Sequence, residues 1–365
     1  ASDKIQRIKN QKKFKMLDAL FIIRPENIAY LLGFKILGTA FVILPKHGQM
    51  ELYVESLEHD RVCSMVSRDE SLSERVKIIE KPRGKPWWIH NQVKKKNYLK
   101  VGFEEEYLTV KEFESWKKRV KIDELTGASE ILSEARMIKM PGELKRLKRA
   151  ARIADIGFNA IYESIQTGMT EWELAAEAEN VMRKAGSEGV SFEIIVATGE
   201  RSAYHPPIPV TKKKVRDGDI VLIDIGARYG GYCSDMSRTF IHGRESEEAK
   251  KLINFVNAGQ VFALKNVRAG VTCQELARKV GGFLIFLNPE FGRSFLHGLG
   301  HGLGIDIHEQ PFLSPLSNSV LRENMVITIE PGSYIPGLGG ARTEDMVQVT
   351  KDGCRCLTNA PKFHY

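Results

Sequence analysis

Residues 218–240 read GDIVLIDIGARYGGYCSDMSRTF, and this stretch sets one carboxylate, Asp224, inside the apolar run Val221-Leu222-Ile223-Asp224-Ile225. A second carboxylate, Asp235, follows a glycine pair. The pattern predicts two strands, 219–227 and 232–241, turned on one another at Gly230 and Gly231. An ionised carboxylate is almost never buried in such a run unless it is paired or binds a metal. A single acid of this kind reads as a strand end or a buried salt bridge. Residues 325–350, MVITIEPGSYIPGLGGARTEDMVQVT, repeat the arrangement, with Glu330 behind an apolar run and Glu344 fourteen positions later. Cross-strand neighbours lie ~5 Å apart, so four carboxylates would converge and repel unless cations neutralise them.

The repetition extends outward from the acids. GMTEWELA at 168–175 returns as GVTCQELA at 270–277, an offset of 102. IDIGARY around Asp224 returns as IEPGSY around Glu330 (offset 106), and SDM around Asp235 returns as EDM at 344–346 (Asp235 to Glu344, 109). Three ordered matches define two homologous halves of ~100 residues, each a helix pair and a curved antiparallel strand pair, packed about a pseudo-two-fold axis. In the first half, Leu144, Leu147, Ala151, Ala154, Phe158 and Ile161 form one apolar helix face behind a hinge at Met140-Pro141-Gly142. Gly168 stops this helix, Thr170 and Glu173 cap the next, and Gly186 ends it. In the second half, 246–268 is helical, Gly270 ends it, and Thr272 with Glu275 repeats the cap. Upstream, about 130 residues read as mixed α/β, with strands at 21–23, 40–44 and 51–54, a turn at Pro45 and Gly48, and a loop at 81–88 (KPRGKPWW).

Three histidines, His297, His301 and His308, sit in SFLHGLGHGLGIDIHEQP at 294–311. Gly298, Gly300, Gly302 and Gly304 oppose a helix, so this is a strand or loop in which backbone and ligand approach closely. Neither a G-x-x-x-x-G-K-[ST] loop nor a G-x-G-x-x-G at 298–304 is present, which excludes those nucleotide cradles. Three histidines beside four misplaced acids point to a metal site. Oxygen-rich donors with one imidazole suit Mn, Fe(II) or Co better than a structural zinc. Two acids able to bridge imply two metals about 3.5–4 Å apart, a lowered water pKa, a polarised carbonyl, and hydrolysis.

The remaining composition narrows the classes. The 365 residues carry 54 Lys+Arg against 46 Asp+Glu, a net charge of +8, with 42 % hydrophobic and 27 % charged residues. This excludes disorder, and no apolar run approaches the ~20 residues that cross a bilayer. The basic N-terminal segment 1–15 has no apolar run behind it and does not read as a secretory signal. Five cysteines oppose a disulfide framework and fit a cytoplasmic protein. The runs at 94–96 and 212–214 are solvated lysines; Trp87 and Trp88 belong to a core or a subunit contact; Cys354 and Cys356 are structural. No nucleic-acid or membrane partner is expected.

Asp224, Asp235, His301, Glu330 and Glu344, in their spacing and their strings, resemble the ligand set of the pita-bread metallopeptidases, and most closely the Xaa-Pro branch of aminopeptidase P and prolidase. The resemblance covers roughly 132–365, and RPENIAYLLGF at 24–34 is similar to the opening of a creatinase-type N-terminal domain. It implies an α+β architecture: a creatinase-like α/β domain at 1–131 and a pita-bread catalytic domain of two pseudo-symmetric repeats at 132–365. It implies that Asp224 chelates one metal, Asp235 and Glu344 bridge both, and His301 and Glu330 hold the other. Glu330 is then also the proton shuttle. His308 contacts the substrate carbonyl and His205 faces the proline, while His297 and Arg342 support the ligands, Arg342 through a hydrogen bond to a bridging acid. The metals implied are two divalent ions, Mn or Co first, then Fe or Zn, and the assembly implied is a homodimer.

The activity implied is cleavage between an N-terminal residue and a following proline. After His308, the stretch EQPFLSPLSNSV has no basic residue before Arg322 to grip a free proline carboxylate. This favours an Xaa-Pro aminopeptidase acting on longer peptides, with Xaa-Pro dipeptidase as the alternative. A methionine aminopeptidase is opposed by the creatinase-like N-terminal region, and a non-catalytic peptide-binding member by the complete ligand set.

Overall fold

A computed structural model describes residues 2–82, 84–85, 87–120, 122–204 and 210–365. The chain divides into two compact units, Ala1–Arg136 and Met137–Tyr365. The boundary lies five residues beyond the 131/132 expected from sequence. The helix Ser129–Met137 runs up to this boundary, and its residues 129–136 belong to the first unit, where Ile131 and Leu132 are buried. The Tyr30 hydroxyl donates to the Ala135 carbonyl (3.0 Å), and Arg136 donates to Asn27 Oδ1 (2.7 Å).

The first unit is built on one six-stranded sheet, ordered Val76–Lys81, Met50–Glu55, Ala40–Pro45, Ala19–Ile22, Lys100–Phe103, Glu124–Gly127. Its middle pairs are antiparallel and its outer pairs parallel. Phe21, Phe41, Tyr53, Val101 and Trp116 form one buried cluster, with Trp88 packed against it. Trp88 meets Tyr53 edge-on, and Arg119 lies 3.5 Å over the half-exposed Trp87 ring. Trp88 is thus part of the core.

His90 stacks on Trp116 with ring centroids 4.0 Å apart, and both its ring nitrogens are buried without a hydrogen-bond partner. Burial, reinforced by the Arg119 guanidinium, pushes its pKa down to about 4. The unfolded chain takes up this proton near pH 6.5 and the folded chain only near pH 4, so acidification through that window favours unfolding. His90→Phe is therefore expected to flatten the fall of the urea midpoint between pH 7 and pH 4.5. An unchanged pH slope would refute a neutral native His90.

The second unit contains the repeat. Helix Pro141–Ser164 starts with proline at its first turn, and Glu143 Oε2 accepts from the Met140 N–H (3.0 Å). Met140 and Pro141 form a helix cap rather than a hinge, because Lys139 N–H donates to Asn324 O (2.9 Å) and Ile138 bridges to Met325 within the same unit. Helix Glu171–Lys184 carries the full Thr170/Glu173 capping box. Glu247–Asn266 and Cys273–Leu287 are their counterparts, with Thr272 Oγ1 accepting from the Glu275 N–H (3.1 Å). The cap threonines make matching isolated bridges, Thr170 to Lys214 and Thr272 to Val320, 102 and 106 residues apart.

Each helix pair packs on its own strands. Phe158, Leu174 and Met182 meet Val221, Ile223 and Ile225 of Ile220–Ile225, the centre of an antiparallel sheet with Ile195–Thr198 and Met236–Ile241. Leu252, Val256 and Val280 meet Ile327 and Ile329 of Val326–Ile329. That strand lies in a five-stranded sheet ordered Glu309–Leu313, Gly300–Gly302, Val326–Ile329, Asp345–Val349, Cys354–Cys356. The strands expected at 219–227 and 232–241 are each broken. The end Ala227–Tyr229 pairs instead with Gly189–Val190 on one side and with Tyr232–Cys233 on the other, in a separate small sheet. The break falls at Gly226, where a Cβ would stand 2.1 Å from the Ser234 carbonyl oxygen. Among the described residues no helix is long and apolar enough to cross a membrane.

Candidate metal centre

Strand alternation aims the acids. Val221, Ile223 and Ile225 face the helices, so Asp224 faces away from them. Asp224 pairs in register with Ser237, and Asp235 precedes Ser237 by two residues on the same face. Glu330 directly follows Val326–Ile329, and Glu344 directly precedes Asp345–Val349. Ile329 pairs with Asp345, so Glu330 and Glu344 stand opposite each other one step on. His301 occupies the middle of Gly300–Gly302.

The glycines around it are contact requirements. A Cβ on Gly300 would stand 2.0 Å from the Thr328 carbonyl oxygen, and one on Gly302 2.3 Å from that of Gln310. Gly300→Ala is expected to cost about 3 kcal/mol or more of stability, read as a fall in the urea midpoint. Wild-type stability would show that this strand has room the structure denies it.

These side chains line one open cleft of about 400 Å³, together with Phe192, Ile195, Ile307 and Phe312. His301 Nε2 lies 3.5 Å from both Asp235 Oδ2 and Glu330 Oε1. His301 Nδ1 is 3.0 Å from the Gly302 carbonyl, which only accepts, so the proton sits on Nδ1 and the Nε2 lone pair faces the acids. The Thr328 hydroxyl accepts from the His301 N–H (3.1 Å) and donates to Glu330 Oε1 (3.2 Å). Asp235, His301 and Glu344, all buried, each present a ligand atom within 4.8 Å of the others.

Arg342 is bonded to Asp224 Oδ2 and donates to Ser237 Oγ (2.7 Å), which in turn donates to Glu344 Oε2 (2.8 Å). It therefore meets Asp224 directly and a bridging-acid candidate only through serine, where the sequence leads one to expect a direct bond. Arg342 Nη1 also donates to the Tyr334 hydroxyl (2.8 Å). The Tyr334 hydroxyl donates to His297 Nε2 (2.9 Å), because His297 Nδ1–H is committed to the Gly298 carbonyl (2.8 Å). His297 Nδ1 lies 3.8 Å from Glu330 Oε2. His308 packs edge-on against His301 at 4.4 Å, and burial, then the neighbouring His301, pushes its pKa down. His205 lies outside the described residues. Ser237, Thr328 and Tyr334 were not singled out from sequence; only Tyr334, inside the repeated IEPGSY string, left a signal there.

The electrostatics call for cations. Burial, and then repulsion from the other acids, pushes the carboxyls of Asp235 and Glu344 far above the usual range; burial also raises Glu330. One arginine faces four carboxylates, and the buried Asp224 Oδ1 has no hydrogen-bond partner. An oxygen-rich set with one oriented imidazole nitrogen and an orphaned carboxylate oxygen fits divalent metal ions.

Comparison with known proteins agrees with this geometry. Residues 145–351 match the model of metallopeptidase family M24, and residues 4–138 that of the creatinase/prolidase N-terminal domain. The chain belongs to metallopeptidase family M24. It is 34 % identical over 363 residues to the Xaa-Pro dipeptidase of Pyrococcus furiosus, covering 98 % of this chain and 99 % of that one. A solved Xaa-Pro dipeptidase from Bacillus anthracis superposes with a TM-score of 0.91 at 32 % identity, over 99 % and 98 % of the two chains. The X-Pro aminopeptidase of Thermotoga maritima superposes with a TM-score of 0.85 at 31 % identity, over 96 % and 97 %. The two halves thus form the pita-bread catalytic domain of a metallopeptidase, preceded by a creatinase-type domain.

Proposed function

We propose that this chain is an Xaa-Pro dipeptidase, a prolidase, that works with two divalent cations, Mn first. The observation that carries the reading is full-length similarity to an Xaa-Pro dipeptidase, through both domains, around an acid cluster that needs cations. It reverses the order expected from sequence, in which the aminopeptidase came first because 309–321 lacks a basic residue. That missing residue is a local, negative signal, whereas the similarity extends over 98 % of the chain. A match to the creatinase/prolidase N-terminal domain opposes a methionine aminopeptidase.

In this reading Asp224 would hold one cation, His301 and Glu330 would hold the other, and Asp235 and Glu344 would serve both. Bound there, the cations would lower the pKa of a shared water and polarise the scissile carbonyl. Glu330, held by Thr328, accepts the water proton and hands it to the leaving proline nitrogen. His308, beside His301, donates to the carbonyl oxygen as it gains charge, and His205 faces the proline. Arg342 fixes the Asp224 carboxylate and, through Tyr334, orients the His297 ring. We further propose a cytoplasmic homodimer, which light scattering tests.

A panel of Xaa-Pro dipeptides and Xaa-Pro-Ala tripeptides, assayed with Mn and with Co, decides between the two specificities. The expected outcome is a higher kcat/KM for the dipeptides and no turnover of Met-Ala-Ser. A clear preference for tripeptides would restore the aminopeptidase.

A further inference from the structure

A second charged pair lies behind the acids and faces away from the cleft. Met236 and Phe240 of the strand Met236–Ile241 join the apolar cluster under the first helix pair, and Arg238, between them, shares their face. Its side chain is 1 % exposed, and it meets Asp345, whose side chain is 0 % exposed, at 2.7 Å. Arg238 belongs to the first half and Asp345 to the second.

The other donors of Arg238 are as specific. Nη1 donates to the carbonyls of Ser237 (2.9 Å) and Glu344, and Nε donates to that of Ala360 (3.1 Å). The Glu344 N–H donates to the Ser237 carbonyl (3.0 Å), so the guanidinium closes over the one backbone bond that joins these two residues. Asp345 also takes Thr358 Oγ1 (2.8 Å), Lys362 Nζ (2.6 Å) and Gln260. Burial raises its pKa, but Arg238 and Lys362 outweigh that and hold it below the usual range.

A buried ion pair is weak evidence for stability, since desolvation offsets much of the attraction, and its best-attested use is to fix register. Here the register in question is that of the two halves. Asp235 lies two residues before Ser237 on the cleft face, and Glu344 is itself one of the residues clamped. We propose that Arg238 and Asp345 form a positioning pair that sets the separation of Asp235 and Glu344, and so the capacity of the site for divalent cations. The inference rests on reading those two acids as metal ligands.

The charge-neutral double variant Arg238→Met with Asp345→Asn removes both buried charges together and leaves only the partly exposed Lys362 ammonium without its carboxylate. It is expected to unfold cooperatively, close to the wild-type midpoint when metal-free. Its affinity for Mn²⁺, titrated by calorimetry without substrate, should be weaker by roughly 10–100-fold. Arg238→Lys, measured alongside, keeps the charge opposite Asp345 but cannot span both carbonyls, and should bind Mn²⁺ at least several-fold more weakly in a folded protein. A Co²⁺ absorption spectrum altered in both variants would report changed ligand geometry, which a purely structural role would not produce. Wild-type Mn²⁺ affinity in either folded variant overturns the inference. Failure of the wild-type protein to bind Mn²⁺ or Co²⁺ overturns the ligand reading instead, and the two failures are thereby distinct.

Discussion

Asp235→Asn is expected to lose peptide hydrolysis by roughly 10³-fold, about 4 kcal/mol of transition-state stabilisation, while making the metal-free protein more stable. Both halves of this result come from one geometry. Asp235 is buried within 3.5 Å of His301 and beside Glu330 and Glu344, with its carboxyl pushed far above the ordinary range by burial and by Asp224. Folding without cations must bring these acids together, and that repulsion is stored in the native state. Asparagine fills the same space, removes one charge, and relieves it. The metal-free midpoint should rise by ~2–4 °C for each kcal/mol relieved. The same change removes an oxygen that two cations would share, so Mn²⁺ should stabilise the wild-type protein markedly and the variant little. Thermal scans with and without Mn²⁺, beside kcat/KM on an Xaa-Pro dipeptide, check both. Retained turnover, or a lowered metal-free midpoint, would mean that Asp235 serves the fold rather than the chemistry.

The acids were legible because a carboxylate within an apolar strand breaks a local rule, and four breaking it in register over ~100 residues cannot be a surface pattern. The glycines around His301 were legible for the same reason, since they forbid a helix where the histidine spacing suggests one. What escaped depends on distant partners. Nothing near position 136 marks the unit boundary, because Tyr30 and Asn27, which hold that helix, lie 105 and 109 residues away. Gly226 looks like any strand glycine until the Ser234 carbonyl arrives against it. The SDM and EDM strings align Asp235 with Asp345 by identity, yet the pleat sends Glu344 to the cleft and Asp345 to Arg238. Arg342 stood beside Glu344 in sequence, and the register of the two halves gave it to Asp224. Period-2 alternation within a strand can be read along the chain, but the pairing between halves cannot.

Arg342→Met carries the second large effect, with the opposite sign for stability. Arg342 is the one lysine or arginine among the described residues lining the cleft, and it is fully engaged, by Asp224, Ser237 and Tyr334. Removing it leaves Asp224 without its donor, although Asp224 Oδ1 already has none, and adds uncompensated charge to a buried cluster. Breaking a buried pair from one side costs about 3–5 kcal/mol, so the metal-free variant should unfold several degrees earlier. Tyr334 loses the donor that turns its own proton toward His297, and the support behind Glu330 loosens. Together these should lower kcat/KM by roughly 10²–10³-fold. Arg342→Lys separates the two consequences, because an ammonium restores the charge but meets one partner where the guanidinium fork meets three. It should regain most of the stability and little of the turnover. Should lysine restore both, Arg342 acts as a counter-charge alone, and the bonds through Ser237 and Tyr334 are incidental to catalysis.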